Sequence, residues 1–416
     1  MTLPRFIQIH TLHNYPAALL NRDDAGLAKR LPYGDAVRTR ISSQCLKRHW
    51  RTADDKFALS KLGVPMAIRS RVTLDLIRKE LIEQGISDAL AQAAAEGLRS
   101  GGLLDKGKEK DKDKGKDKGK EKSEEKELVG EAALKTKQAV MLGRAEIDFI
   151  VNRCATLARD FPEEKALKAK ISSFLKNEKK NIEILKHGSG LESALFGRFV
   201  TSDVLATRDA AVYVAHAFTV HESQVENDYF TVVDDLLRDA GEQGSAGIFD
   251  TELTSGLYYG YVVIDVPQLI ANLEGEKAQD WDKLPAERRK LAGQVVQSLM
   301  HLIATVSPGA KRGSTAPFEW AKFMFVEVGD WQPRSLAGAF IDALPVANAD
   351  IRRSAVERIA NEVDQLDRAY GAPLERRFLA TDEVKVPGAS RVTLTELGEW
   401  VRDRITTGTA SASIGA

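Results

Sequence analysis

The spacing of apolar residues predicts an α+β fold in which one sheet is interrupted by a long helical stretch and by a protruding excursion. Three observations carry that expectation. Four short runs rich in strand formers, at 6–13, 211–220, 256–266 and 318–328, are bounded by breakers or turn residues. The stretch 55–195 reads mostly as amphipathic helices. About thirty-five residues separate the second and third strand runs, where a hairpin connection takes about 2–5.

Taken in order, Phe6 to His13 alternates partly and is read as a strand that Pro16 ends. Residues 20–34 read as a loop bearing Arg22, Lys29 and Arg30, with Pro32 and Gly34 as breakers. A helix is expected from Ser42 and Ser43, whose hydroxyls can cap free N–H groups ahead of the breaker-free Gln-Cys-Leu-Lys-Arg-His-Trp. Arg38 and Arg40 arrive before that helix start, and Lys47, Arg48 and Arg51 gather on one side of it. Acids, not bases, favour a helix N-terminus, so this arrangement suits a bound phosphate better than it suits the isolated helix. A solvated basic helix is the plain alternative.

Within 55–195, Thr73 to Gln84 and Asp88 to Leu98 are the clearest periodic segments. The tract 105–127 alternates Lys with Asp or Glu, contains three glycines and lacks large apolar side chains, so it is expected to be disordered. Lys165 to Lys186 has an apolar stripe, with Lys168, Lys176, Lys179 and Lys180 largely off it, either a solvated face or a second polyanion surface. The runs 211–220 and 256–266 are expected to pair. The excursion between them holds Tyr229, Phe230 and Thr231 beside a flexible Gly-rich stretch, and such adjacent aromatics can stack on bases or pack inward. A helix over 286–306 opens after Pro285, Lys311 and Arg312 follow on a loop, and 318–328 returns as a strand. Helices near 336–344, 351–368 and 394–405 complete the chain, with 407–416 frayed. The order strand, helix, strand, strand, helix, strand is that of a ferredoxin-like or RRM-like sheet.

The 60 basic and 60 acidic residues balance, so any polyanion-binding surface must be a local patch. Cys45 and Cys154 form no Cys-x-x-Cys pair, which favours reduced thiols and a cytosolic protein; no signal peptide or membrane span is read, so a cytoplasmic location is expected. His216 and His221, five apart, are not spaced as a zinc pair, and there is no His-Glu-x-x-His. No Walker-type loop occurs, and no nucleophile and base have a recognisable spacing. Catalysis, metals and cofactors are therefore not expected.

Leu-Asn-Arg-Asp-Asp at 20–24, Arg-Ile-Ser-Ser-Gln-Cys-Leu-Lys-Arg at 40–48, Gly-Arg at 197–198, Ala-His-Ala at 215–217, Tyr-Phe-Thr-Val-Val-Asp-Asp-Leu at 229–236 and Pro-Gly-Ala-Lys at 308–311 together resemble the CasC family. That family supplies the repeated backbone subunit of the type I-E CRISPR Cascade complex, and the motifs run in its order over nearly the whole chain. The resemblance implies an RRM-like palm (1–54, 196–220 and 256–416, the last with the C-terminal helices), a helical fingers insertion (55–195) and a thumb (221–255). It implies copies polymerising head to tail along a CRISPR RNA, beside other Cascade subunits, with bases left open to target DNA. Arg22, Lys29, Ser42, Gln44, Lys47, Arg48 and Arg51 match positions that hold the guide backbone. Phe199, after Gly197 and Arg198, and Tyr229, Phe230 and Thr231 match the wedge around a displaced base. Phe199 and Tyr229 stand where Met and Trp are commoner. Lysines of the 165–186 helix resemble a surface that meets target duplex. The competing class is a metal-dependent endoribonuclease using Asp23 or Asp24, because related subunits cut RNA with a loop aspartate.

Overall fold

The structure is a computed structural model of the 416-residue chain, described over residues 3–101, 134–135, 139–177, 190–198, 208–233, 245–371 and 374–408, with 175–177, 231–233 and 245–249 described by backbone alone. The charged tract 105–127, Phe199, Lys179 and Lys180 lie outside these residues. Strands are β1 (Phe6–Ala18), β2 (Arg30–Tyr33), β3 (Ala36–Ile41), β4 (Ile68–Ser70), β5 (Val140–Leu142), β6 (Val212–Val214), β7 (Ala217–Thr219), β8 (Gln224–Val233), β9 (Ser245–Asp265), β10 (Phe323–Gly329), β11 (Glu375–Ala380) and β12 (Ala389–Arg391). Helices are α1 (Ser43–Arg51), α2 (Thr73–Glu83), α3 (Asp88–Ser100), α4 (Arg144–Asp160), α5 (Glu164–Asn177), α6 (Leu191–Phe196), α7 (Val266–Glu274), α8 (Ala286–Thr305), α9 (Arg312–Thr315), α10 (Ile351–Tyr370) and α11 (Leu394–Thr407).

The chain divides into two compact units, one of residues 1–62, 212–270 and 278–416, the other of 63–211 and 271–277. In the first, a large mixed sheet runs in the order β12-β11-β10-β1-β9-β7-β3-β2, with β6 and β8 also paired to β9. β1 lies between β10 and β9, antiparallel to both, with His10 opposite Phe325 and Tyr261. One sheet face buries Leu12, Tyr259, Phe323 and Phe325 in a cluster with Ile359 and Val363 of α10. On the other face Tyr15, Ile41 and Tyr258 form a second cluster with Leu46 of α1. α8 crosses α11 closely at Gly293, where a Cβ would lie 2.6 Å from Thr406 Oγ1 and 2.9 Å from the Arg402 carbonyl.

Several sequence expectations are corrected. β1 continues past Pro16 to Ala18 because a register shift between Tyr15 and Ala18 absorbs the proline, and Ala17 N–H donates instead to Ser255 Oγ at 2.8 Å. Residues 30–41, read as a loop and approach, form the β2–β3 hairpin, turned by Gly34 at φ +62°. The run 211–220 breaks into β6 and β7 at Ala215-His216, although both pieces pair with β9 as expected. Phe318 and Trp320 lie before β10 rather than in it, and 336–344 contains only a short 3-10 turn at Ala337–Phe340. Strands β11 and β12 were not foreseen. The excursion is a β-hairpin arm in which β8 pairs with the first half of β9, Tyr229 opposite Asp250 and Phe230 opposite Phe249.

The second unit packs α2, α3, α4 and α5 around a core of Leu74, Ile77, Leu98, Ile147, Ile150 and Ile171, beside the two-stranded β4–β5 sheet. Glu146 caps Gly143 N–H at 2.9 Å and accepts from Arg198 Nη1 at 2.6 Å; both side chains are buried.

Candidate nucleic-acid interface

The start of α1 follows from its local sequence. Ser42 is the N-cap: its Oγ accepts from Cys45 N–H at 3.3 Å while its own N–H donates to Asn21 Oδ1 at 2.9 Å. No acid occupies the first turn, and Arg48, His49 and Arg51 occupy the last. Leu46 and buried Trp50 turn toward the sheet, leaving Gln44 and Arg48 exposed and Lys47 and Arg51 half-buried. Burial pulls the Lys47 ammonium pKa down from its ordinary value.

The 20–30 loop is bound to this helix start. Lys29 N–H donates to the Asn21 carbonyl at 3.0 Å and Arg40 N–H to the Lys29 carbonyl at 2.8 Å. Glu252 of β9 accepts from Ala28 N–H at 2.8 Å and pairs with Arg30, tying the loop to the base of the hairpin arm. Asp23 spends Oδ1 on its own turn, accepting from Ala25 and Leu27 N–H at 2.9 and 3.0 Å, while Arg22 and Asp24 are exposed. Arg40 reaches the Arg30 carbonyl and His216 Nδ1, the latter at 2.8 Å. Burial, with the charges of Arg40 and Lys29, lowers the His216 pKa, so the imidazole stays neutral and accepts that bond.

A second loop meets α1 from the other side. Ala310 N–H donates to the Leu19 carbonyl at 2.8 Å, and burial, then the cations of Arg312 and Arg48, lower the pKa of His49, whose Nδ1–H donates to the Cys45 carbonyl at 2.8 Å. Lys311 Nζ donates to Thr251 Oγ1 at 3.0 Å and stands 4.4 Å from the centre of the Phe230 ring, holding that ring against the 308–312 loop. Tyr229, its neighbour on the opposite strand face, is 63% exposed. The result is a set of cations along α1, with Arg22, Lys29 and Arg40 on the side of its capped start and Arg48 and Arg312 by its last turn, and an exposed aromatic on the adjoining arm. The chemistry available is phosphate binding and base stacking.

Two residues expected among these cations belong elsewhere. Arg38 is fully buried, donating from Nη1 to the Thr219 carbonyl at 3.1 Å and from Nη2 to the Phe340 carbonyl at 3.0 Å. Arg198 is buried against Glu146. Both guanidinium groups are committed to internal acceptors, so the surface role expected of them is corrected. Lys168 is exposed and pairs with Glu96 at 2.8 Å; for Lys176 and Thr231 the backbone alone is described, in α5 and β8. Sequence reading placed Arg30 in the loop without giving it a role, and weighed His216 and His221 only as a metal question. In the fold, His221 bonds Leu257 N–H at 3.1 Å while His216 faces Arg40.

Among the described residues no group of three or more His, Cys, Asp or Glu is placed to hold a metal, and no helix is long and apolar enough to cross a membrane. The cavity beneath α1, lined by Tyr15, Leu46, Trp50 and Tyr258, measures about 30 Å³, room for one water rather than a metabolite.

Fold and site thus define an α+β protein whose mixed sheet carries a basic helix start and a hairpin arm. The chain belongs to the CT1975-like protein family, whose model matches residues 7–402. It is similar to a solved structure described as a CRISPR RNA-guided surveillance complex, pre-nicking, at 26% identity and a TM-score of 0.71, over 95% of this chain and 99% of that one. A second structure, described as a CRISPR RNA-guided surveillance complex, shares the fold at 24% identity and a TM-score of 0.61, over 93% and 96% of the two chains. No curated protein matches significantly.

Proposed function

We propose that this chain is a non-catalytic backbone subunit of a type I-E Cascade complex, and that copies polymerise head to tail along a CRISPR RNA and present it for pairing with target DNA. The observation that carries the reading is α1: a Ser42-capped terminus without an acid in its first turn, with Lys29 and Arg40 beside the cap and Arg48 and Arg312 by its last turn. Such a site grips phosphates without reading bases, which is what presentation of a guide requires. The strand order β10-β1-β9-β7, connected as fourth, first, third and second, supports an RRM-like palm. The hairpin arm fits the thumb, with Tyr229 as the wedge and Phe230 as its anchor.

The engagement of Asp23 with its own turn favours a structural role for that carboxylate over RNA cleavage. Co-purification with its genomic neighbours should bring down a small repeat-derived RNA, and that material should leave a complementary RNA intact in Mg²⁺. Assembled protein free of RNA would contradict the first part; cleavage lost on Asp24→Ala would contradict the second.

A further inference from the structure

We infer that Phe318 and Trp320, with Arg312, form a second stacking platform that takes bases of a single-stranded RNA segment running on from α1. The inference rests on the RNA-holding reading above. Both rings are largely in water, 68% and 69% exposed. They do not sit on loose backbone. Between them, Glu319 N–H donates to Ser307 Oγ at 2.9 Å and Ser307 Oγ–H returns to the Glu319 carbonyl at 3.0 Å. Just beyond, Ala321 N–H donates to the Ala304 carbonyl at 2.8 Å. Pro317 and Ala321, on either side, are buried. Two rings held out on a pinned segment lose little freedom on stacking, which is the economy a binding platform needs.

Charge favours nucleic acid over an apolar protein face. The Arg312 guanidinium lies 5.5 Å from the Phe318 ring centre and donates from Nη2 to the Ser307 carbonyl at 3.1 Å, so a cation is fixed beside the ring. The acid between the rings is neutralised locally, Glu319 pairing with Lys322 at 2.8 Å. Lys311, next in sequence, covers Phe230 of the arm. Phe230, Lys311, Arg312 and Phe318 therefore make a pair of adjacent cations with a ring at each side, the composition that tracks single strands.

The test is binding of an oligoadenylate and an oligouridylate of about ten nucleotides to the full chain and to Phe318→Ala, Trp320→Ala and Trp320→Phe, across a salt series. Each alanine variant should keep its melting temperature and weaken binding by roughly tenfold or more, adenine suffering more than uracil, with the salt slope unchanged. Trp320→Phe should recover most of the affinity. Unchanged RNA affinity in both alanine variants would overturn the platform, and weakened self-association beside it would make this face a protein contact. If the parent itself fails to bind either oligomer, it is the RNA-holding reading that fails.

Discussion

At the scale of single residues, burial separates cations that can meet phosphate from those that hold the fold. Arg38 and Arg48 look alike in the sequence, yet one is fully buried under backbone carbonyls and the other is exposed on α1. Arg38→Met should lower stability by about 1–3 kcal/mol for each carbonyl left without a donor, and should leave the salt dependence of RNA binding alone. Denaturant titration beside a binding series checks this; a changed salt slope with unchanged stability would return Arg38 to the surface role. Tyr229 and Phe230 should differ too. Tyr229→Ala should leave the melting temperature in place and remove a stacking contribution of about 1–3 kcal/mol. Phe230→Ala should release Lys311 and destabilise the arm by about 0.5–2 kcal/mol. Chemical probing of RNA in the assembly should find regularly spaced reactive nucleotides in the parent and a more even profile in Tyr229→Ala. A profile already even in the parent would remove the wedge from the account.

At the scale of elements, α1 shows what its local sequence determines and what it leaves open. Its cap, its acid-free first turn and its buried Trp50 side were legible from Ser42 to Arg51, because capping and periodicity are local physics. Ser42→Ala should cost about 1 kcal/mol and weaken RNA binding, by fraying the N–H groups that meet phosphate. Equal stability with equal binding would mean that the cap does neither. The β2–β3 hairpin was not legible. Pro32 and Gly34 are loop signals, and β3 is joined to the sheet at Arg40 and Ile41 by β7, whose sequence lies far along the chain. The fate of Arg38 and Arg198 was equally hidden, since Thr219, Phe340 and Glu146 reach them only through the fold. Phe318 and Trp320 alternate like a strand, but pinning by Ser307 keeps the segment out of the sheet.

At the scale of the whole molecule, acid stability follows from histidines held neutral in the sheet. Burial lowers the pKa of His10, and it lowers that of His13 to about 4 despite hydrogen bonds to the Ala304 and Ile303 backbone. The unfolded chain protonates His13 near 6.5, so its contribution is full above that pH and is lost as pH falls toward 4. His13 adds a slope of about 1.4 kcal/mol per pH unit in that window, and His13→Gln should flatten the curve there. An unchanged slope in the variant would show that His13 titrates alike in both states. The central claim, that the capped start of α1 holds RNA by its phosphates, is tested most directly by the salt dependence of RNA affinity in the parent and in an Arg22→Ala, Arg48→Ala double variant. The account predicts weaker binding, uniform across RNA sequences, and a log–log slope shallower by up to about 0.7 for each phosphate that the variant no longer neutralises. Unchanged affinity and unchanged slope would mean that these arginines are ordinary surface residues and that the RNA, if held, is held elsewhere.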